Sequence, residues 1–161
     1  MVPLINTEVP YTYRYIIDTS AMLSQKDDEP HRRRIFKSQW NNIDELIREH
    51  QIVTCSEIAS EVEDEAIKGW MVANGLVVLP IDDEVQDNVK KVVKANKDLV
   101  DFKANKSSGD AFLIATAMKY GLIVITEENA QSTKKIPFTC GLLNVDCVSI
   151  LDLCEREKWE F

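Results

Sequence analysis

The sequence predicts an α/β protein with a mainly parallel sheet covered on both faces by helices. Five short apolar runs, at 13–17, 51–55, 76–79, 122–126 and 147–150, have the length and β-branched content of buried strands. Between most of them lie longer stretches whose apolar residues recur at helical spacing. Strand and helix alternate almost throughout, as parallel strands require because each must be reached by a crossover.

Taken in order, residues 1–12 hold two prolines and no periodicity, and predict an extended leader before a single domain over 13–161. Tyr13 to Ile17 is the first strand; Asp18 ends it, and Thr19 and Ser20 cap the next helix. Lys26-Asp27-Asp28-Glu29-Pro30 is a charged loop, followed by a helix whose apolar stripe is Ile35, Phe36, Trp40, Ile43, Leu46 and Ile47. After the strand Gln51 to Cys55, Thr54-Cys55-Ser56-Glu57 matches a capping box. The helix it opens turns Ile58, Ala59, Val62, Ala66 and Trp70 inward and stacks Glu57, Glu61 and Glu65 along one flank. Gly75 stops that helix, and Pro80 ends the strand Leu76 to Leu79. Val85, Val89, Val92 and Val93 mark the next helix, with Lys90, Lys94 and Lys97 on its outer face, and residues 98–107 form a polar link. Ser107-Ser108-Gly109-Asp110 opens an apolar helix that Gly121 stops. Leu122 to Thr126 leads directly into Glu127-Glu128, a long connection spans 129–144, and a strand at Cys147 to Ile150 and a helix at Leu151 to Lys158 complete the chain. There is no internal repeat and no low-complexity segment.

No apolar run reaches membrane-spanning length, and the N-terminus lacks a basic region followed by an apolar core, so a soluble, cytoplasmic protein is expected. Cys55, Cys140, Cys147 and Cys154 contain no C-x-x-C pair, and with only His31 and His50 beside them they argue against zinc. They read instead as buried thiols in a reducing compartment. Lys and Arg total 19 against 27 Asp and Glu, a net charge of −8. That balance speaks against a general phosphate-binding surface. It is compatible with acids gathered into one pocket and a local basic rim, for which His31-Arg32-Arg33-Arg34 and Lys37 are the candidates. A solvated helix start explains the same cluster.

The acids are the chemically informative residues. Asp18 ends the first strand, Glu61 follows the second, Asp110 begins a helix and Glu128 lies just past the fourth strand. In a parallel sheet these positions share the carboxyl edge, where ligands bind in open α/β folds. Convergent carboxylates repel one another unless a cation intervenes, and oxygen-only ligands favour Mg²⁺ or Mn²⁺ over zinc. Such a site suits phosphodiester hydrolysis, because metal lowers the pKa of water and screens the phosphate. Periodicity does not separate Glu61 from Glu57 and Glu65, of which Glu57 is also explained by capping and Glu65 as a solvated charge or auxiliary ligand. Glu127 and Glu128 are likewise alternatives, and Asp110 is favoured by the helix dipole alone. Trp40, Trp70 and Trp159 read as packing residues.

In order, Y-I-I-D-T-S, V-T-C-S-E-I-A-S-E-V, G-D-A-F-L-I-A-T-A and G-L-I-V-I-T-E-E resemble the motifs of PIN-domain nucleases, the fold of the VapC-type toxins. The closing I-P-F-T-C-G-L-L-N-V-D-C-V-S-I resembles a less characterised PIN-like branch often found near helix-turn-helix regulators. The resemblance covers roughly 13–161. It implies a three-layer α/β/α PIN-like fold and endoribonuclease activity that depends on one or two Mg²⁺ or Mn²⁺ ions. It also implies RNA as substrate, an antitoxin partner of helix-turn-helix type, and a homodimer. The family's acids fall on Asp18, Glu61, Asp110 and Glu128, and its small hydroxyl positions on Thr19, Ser20 and Thr126. The last acid of the family is usually aspartate, and Glu128 is one methylene longer. Against this stand a PIN fold that binds RNA or protein without cutting, and a DNA-cleaving relative with the same acids. A dehalogenase-type phosphatase needs an aspartate two residues after Asp18, where Ser20 stands, and a dinucleotide-binding domain needs a G-x-G-x-x-G that is absent.

Overall fold

A computed structural model describes residues 12–99 and 109–161. The leader, apart from Thr12, and the polar link from residue 100 onward, with Ser107 and Ser108, lie outside the described residues.

Within the described residues five strands form one sheet: β1 (Tyr15–Ile17), β2 (Ile52–Cys55), β3 (Val77–Leu79), β4 (Ile123–Ile125) and β5 (Cys147–Val148). Their order is β3-β2-β1-β4-β5, and every pairing is parallel. The helices are α1 (Thr19–Leu23), α2 (Lys37–Arg48), α3 (Ser56–Glu61), α4 (Glu65–Ala73), α5 (Asp83–Ala95), α6 (Gly109–Tyr120), α7 (Ile136–Leu143) and α8 (Ile150–Arg156). Helices flank the sheet, which is the architecture the alternation of the sequence predicts.

The central strands are buried on both faces, so Tyr15, Ile16 and Ile17 are all apolar and all sequestered, as are Ile52, Val53, Val124 and Ile125. Each such aliphatic side chain contributes about 1.5–3 kcal/mol on burial. Trp40 and Ile43 of α2, Ile58 of α3 and Leu113 and Ile114 of α6 close the core over them. The strand order has one consequence for the site. After β1 the chain winds outward through β2 and β3, then returns to the other side of β1 for β4 and β5. The carboxyl ends of β1 and β4 therefore diverge at a switch point, which opens a crevice outside the sheet edge.

Several local expectations are corrected. The helix expected to run from Ser56 to Trp70 is two helices, because Val62 is extended (ψ 117°) and Asp64 caps α4, its carboxylate accepting from the Ile67 amide at 3.0 Å. Glu65 is thereby turned away from Glu57 and Glu61; it is exposed and lies 3.6 Å from Lys68. Ile35 and Phe36 precede α2 and are exposed rather than on its inner stripe. Thr54 does not cap α3; its hydroxyl donates to the Ile17 carbonyl at 2.9 Å and ties β2 to β1. A capping box is instead built at α8, where Ser149 and Asp152 exchange hydrogen bonds. The connection expected over 129–144 contains α7, ended by Asn144 in the left-handed region. Gly75 and Gly121 stop their helices at φ +64° and +66°, as expected. Of the four thiols, Cys55, Cys140 and Cys154 are buried and Cys147 half-buried, all unbridged. No helix of the described residues is long and apolar enough to cross a membrane.

Candidate metal centre

Asp18 is placed by the end of β1, where its amide donates to the Ile125 carbonyl of β4 at 2.9 Å. Only 2% of it is exposed. One carboxylate oxygen, Oδ2, accepts from the Ser20 hydroxyl at 2.6 Å and the Thr126 hydroxyl at 2.9 Å. Those hydroxyls lie 3.2 Å apart, one from the start of α1 and one from the end of β4. Ser20 also accepts from the Glu127 amide, and Thr126 from the Glu128 amide. The hydroxyls thus lock the aspartate while fixing the chain that follows β4.

Glu61 arrives from the last turn of α3, aimed by a hydrogen bond from the Thr19 hydroxyl to Oε1 at 2.7 Å. Asp110 is the second residue of α6, in its first turn, where the helix dipole favours a carboxylate. Gly109 beside it makes the approach possible: a Cβ there would stand 2.5 Å from Glu61 Oε2. Ligand oxygens of Asp18, Glu61 and Asp110 all lie within 4.8 Å of one another.

The electrostatics record the crowding. Burial pushes the Asp18 carboxyl up, against the pull of the Ser20 and Thr126 hydroxyls. Burial raises Glu61 as well, with Thr19 opposing and the Asp18 charge adding to it. Asp110 is pushed up to about 8, first by burial and then by the charges of Glu128, Asp18 and Glu61. Glu128 is raised by burial and by Asp18 and Glu61, with the Ile136 amide and Lys135 pulling the other way. Four carboxyls that all resist ionisation form a pocket short of positive charge. The donor set is oxygen only, with no thiol or imidazole in it, and it fits a hard divalent cation such as Mg²⁺ or Mn²⁺.

Glu128 stands outside the closest triad, with Oε1 accepting from the Ile136 amide at the start of α7 at 3.0 Å. Glu127 faces elsewhere. Its Oε1 meets His31 Nε2 at 3.0 Å and its Oε2 accepts from the Ile150 amide at 2.8 Å. Burial opposes its charge, but the His31 ring and that amide outweigh burial and hold Glu127 below the usual glutamate range. Glu65 is not brought to the cluster.

The basic residues divide. Arg33 is committed internally: both terminal nitrogens contact Asp44, at 2.9 and 3.0 Å, Nε and Nη2 donate to Gln25, and the guanidinium lies 5.5 Å from the Trp40 ring. Arg32 donates to the Glu29 carbonyl, Arg34 lies 3.8 Å from Asp27, and Lys37 is exposed at the start of α2. Two participants were hidden in the sequence. Gly109 reads as an ordinary helix start, and His31 as part of a basic run rather than as the partner of Glu127.

No curated protein matches this sequence. Among solved structures, VapBC2 from Rickettsia felis, bound to a DNA fragment from its promoter, is 15% identical with a TM-score of 0.53, covering 84% of this chain and 97% of that one. PAE2754 from Pyrobaculum aerophilum is 12% identical with a TM-score of 0.53 and 94% coverage of both chains. FitAcB from Neisseria gonorrhoeae is 16% identical with a TM-score of 0.51, covering 85% of this chain and 98% of that one. These likenesses show a shared PIN-like α/β fold. Residues 15–161 match the family described as Domain of unknown function (DUF4411), and the chain belongs to that family.

Proposed function

We propose that this protein is a Mg²⁺- or Mn²⁺-dependent endoribonuclease that hydrolyses RNA phosphodiester bonds, and the toxin of a toxin–antitoxin pair. The observation that carries this reading is the convergence of Asp18, Glu61 and Asp110 at the switch point of a PIN-like sheet. In this reading Asp18 and Asp110 are the principal ligands, Glu61 is a ligand or positions water, and Glu128 serves a second ion directly or through water. When bound, the cation lowers the pKa of water and neutralises charge on the phosphodiester.

The chain's own residues supply order. Ser20 and Thr126 hold one oxygen of Asp18, so the carboxylate is oriented before any ligand arrives. Thr19 does the same for Glu61. Burial and the neighbouring carboxylates favour the protonated form of Asp110, and a cation held by the three acids would favour release of that proton. No side chain is required as a nucleophile.

RNA rather than DNA as substrate, a helix-turn-helix antitoxin over the acidic edge, and a homodimer belong to the same reading. All three are supported by the VapC-type resemblance, and the antitoxin partner also by the likeness to VapBC2. The test is cleavage of structured RNA, unstructured RNA and single-stranded DNA with Mg²⁺, Mn²⁺ or EDTA, comparing the wild type with Asp18→Asn. The reading expects RNA cutting that needs metal and is lost in the variant. Cutting that persists in EDTA, or that survives Asp18→Asn, refutes it. Metal binding without cutting of any substrate assigns the fold to binding rather than catalysis.

A further inference from the structure

The arm between α1 and α2, residues 24–36, is irregular but firmly held. His31 and Arg33 donate their amides to Ser24 and Gln25, at 3.1 and 2.9 Å, and the Trp40 indole donates to the His31 carbonyl at 2.6 Å. The Arg33 guanidinium is fixed by Asp44 and Gln25. The His31 ring joins the arm to the end of β4: Gln39 contacts Nδ1 at 3.3 Å, which leaves Nε2–H for Glu127. Glu127 in turn is the neighbour of Glu128, and its amide bonds the Ser20 hydroxyl that holds Asp18. The arm is therefore part of the framework of the acidic site.

With His31 and Arg33 committed inward, other residues of the arm remain available outside. Ile35 is 60% and Phe36 42% exposed. The Phe36 ring leans on His31, with 6.0 Å between centroids. Arg34 has only a loose, exposed pairing with Asp27, of a kind worth little in water. Among the described residues Arg32, half-buried with its Nε on the Glu29 carbonyl, and Lys37, exposed at the start of α2, form no ion pair. A polyanion approaching four convergent carboxylates in a chain of net charge −8 needs local cations beside the site; Arg32, Arg34 and Lys37 are the ones available here, against Asp27, Asp28 and Glu29 earlier in the same arm. An exposed aromatic ring among cations matches single-stranded nucleic acid, whose unpaired bases have free faces to stack while the backbone meets positive charge. A duplex keeps those faces covered.

We infer that the outer surface of the arm and the start of α2, through Arg32, Arg34, Phe36 and Lys37, seats single-stranded RNA beside the carboxylate cluster. The inference rests on the nuclease reading for its biological sense, and its test does not depend on cleavage. Fluorescence anisotropy of a labelled unstructured RNA of about 12 nucleotides, within the usual span of such sites, is followed in an Asp18→Asn background. Added Phe36→Ala is expected to weaken binding between about fivefold and about 150-fold, the range for losing one stacked base. Arg34→Ala with Lys37→Ala is expected to lower the salt slope of log K by about 0.7 per cation removed. Lys37→Glu, an exposed change at the first residue of α2, serves as a second probe should Phe36→Ala fold poorly.

Unchanged affinity and salt slope in the arm variants, or no RNA binding by the parent, overturns the inference. Loss of binding to a protein partner with RNA affinity intact also overturns it and assigns the arm to that partner. A protein that binds RNA through the arm and never cuts sustains the inference and defeats the nuclease reading. One that cuts RNA equally well with the arm altered does the reverse.

Discussion

Replacing Asp110 with Asn should stabilise the metal-free protein while disabling it. Asp110 is pushed from 3.8 to about 8 by burial and by Glu128, Asp18 and Glu61. The sign follows from proton binding. Below pH 3.8 both folded and unfolded chains hold the proton, and the group is neutral to stability. Between pH 3.8 and about 8 the unfolded chain releases it and the folded chain does not, so stability falls with rising pH, and above about 8 the loss is complete. At about 1.36 kcal/mol per unit, the loss at pH 7 comes to a little over 4 kcal/mol, and solvent access to a partly buried carboxyl reduces it to about 2 kcal/mol. Asn imitates the protonated side chain and avoids that loss. Thermal unfolding in EDTA should show Asp110→Asn more stable at pH 7 by about 4–8 °C, with a smaller gain at pH 5. With saturating Mg²⁺ the order should reverse, since only the wild type gains RT ln(1 + [L]/Kd) from the ion. A variant no more stable than the wild type in EDTA at pH 7 would refute the idea that Asp110 sits in uncompensated negative charge.

Other substitutions probe the framework. Gly109→Ala places a methyl group against the Glu61 carboxylate, the mobile end of a side chain, so the fold should hold within about 1 kcal/mol while metal affinity drops about ten- to hundredfold; titration of Mn²⁺ measures it. Arg33→Ala leaves the buried Asp44 with the Trp70 indole alone, and should cost about 2–4 kcal/mol in denaturant unfolding. Tyr15→Phe removes the hydroxyl that donates to Glu157 at 2.5 Å, an acceptor that Arg14 also contacts, so a loss near 1 kcal/mol is expected. A loss above about 3 kcal/mol there would mean that α8 depends on this contact far more than a single hydrogen bond allows.

The sheet was legible because its strands are buried on both faces, and two-sided burial leaves unbroken apolar runs such as Tyr15-Ile16-Ile17 and Ile123-Val124-Ile125. Where a tertiary contact overrode local pattern, the sequence misled. Nothing in Val62-Glu63-Asp64 breaks a helix by itself; the break is stabilised by Asp64 capping α4 and pairing with Lys26 at 2.8 Å, a partner far away in sequence. The cap itself, an aspartate before Glu65 and three residues ahead of Ile67, was a readable signal. Helix α7 is apolar around much of its circumference and contains Pro137 and Gly141, so it lacks the periodicity that exposes an amphipathic helix. Of the site, the carboxylates at strand ends and helix starts were readable from position alone. The choice of Glu61 over Glu57 and Glu65 was not, because helical spacing treats them alike until the break after α3 turns Glu65 aside. Nor could spacing separate Glu127 from Glu128, whose adjacent side chains part toward His31 and Ile136.

Whether Asp18, Glu61 and Asp110 hold a divalent cation is decided by calorimetric titration of Mn²⁺ in two buffers of different ionisation enthalpy near pH 7. The wild type should bind Mn²⁺ with release of a proton, seen as a buffer-dependent heat, and Asp18→Asn should lose that binding. Absence of binding to the wild type, or equal binding by the variant, would contradict a cation site at these three acids.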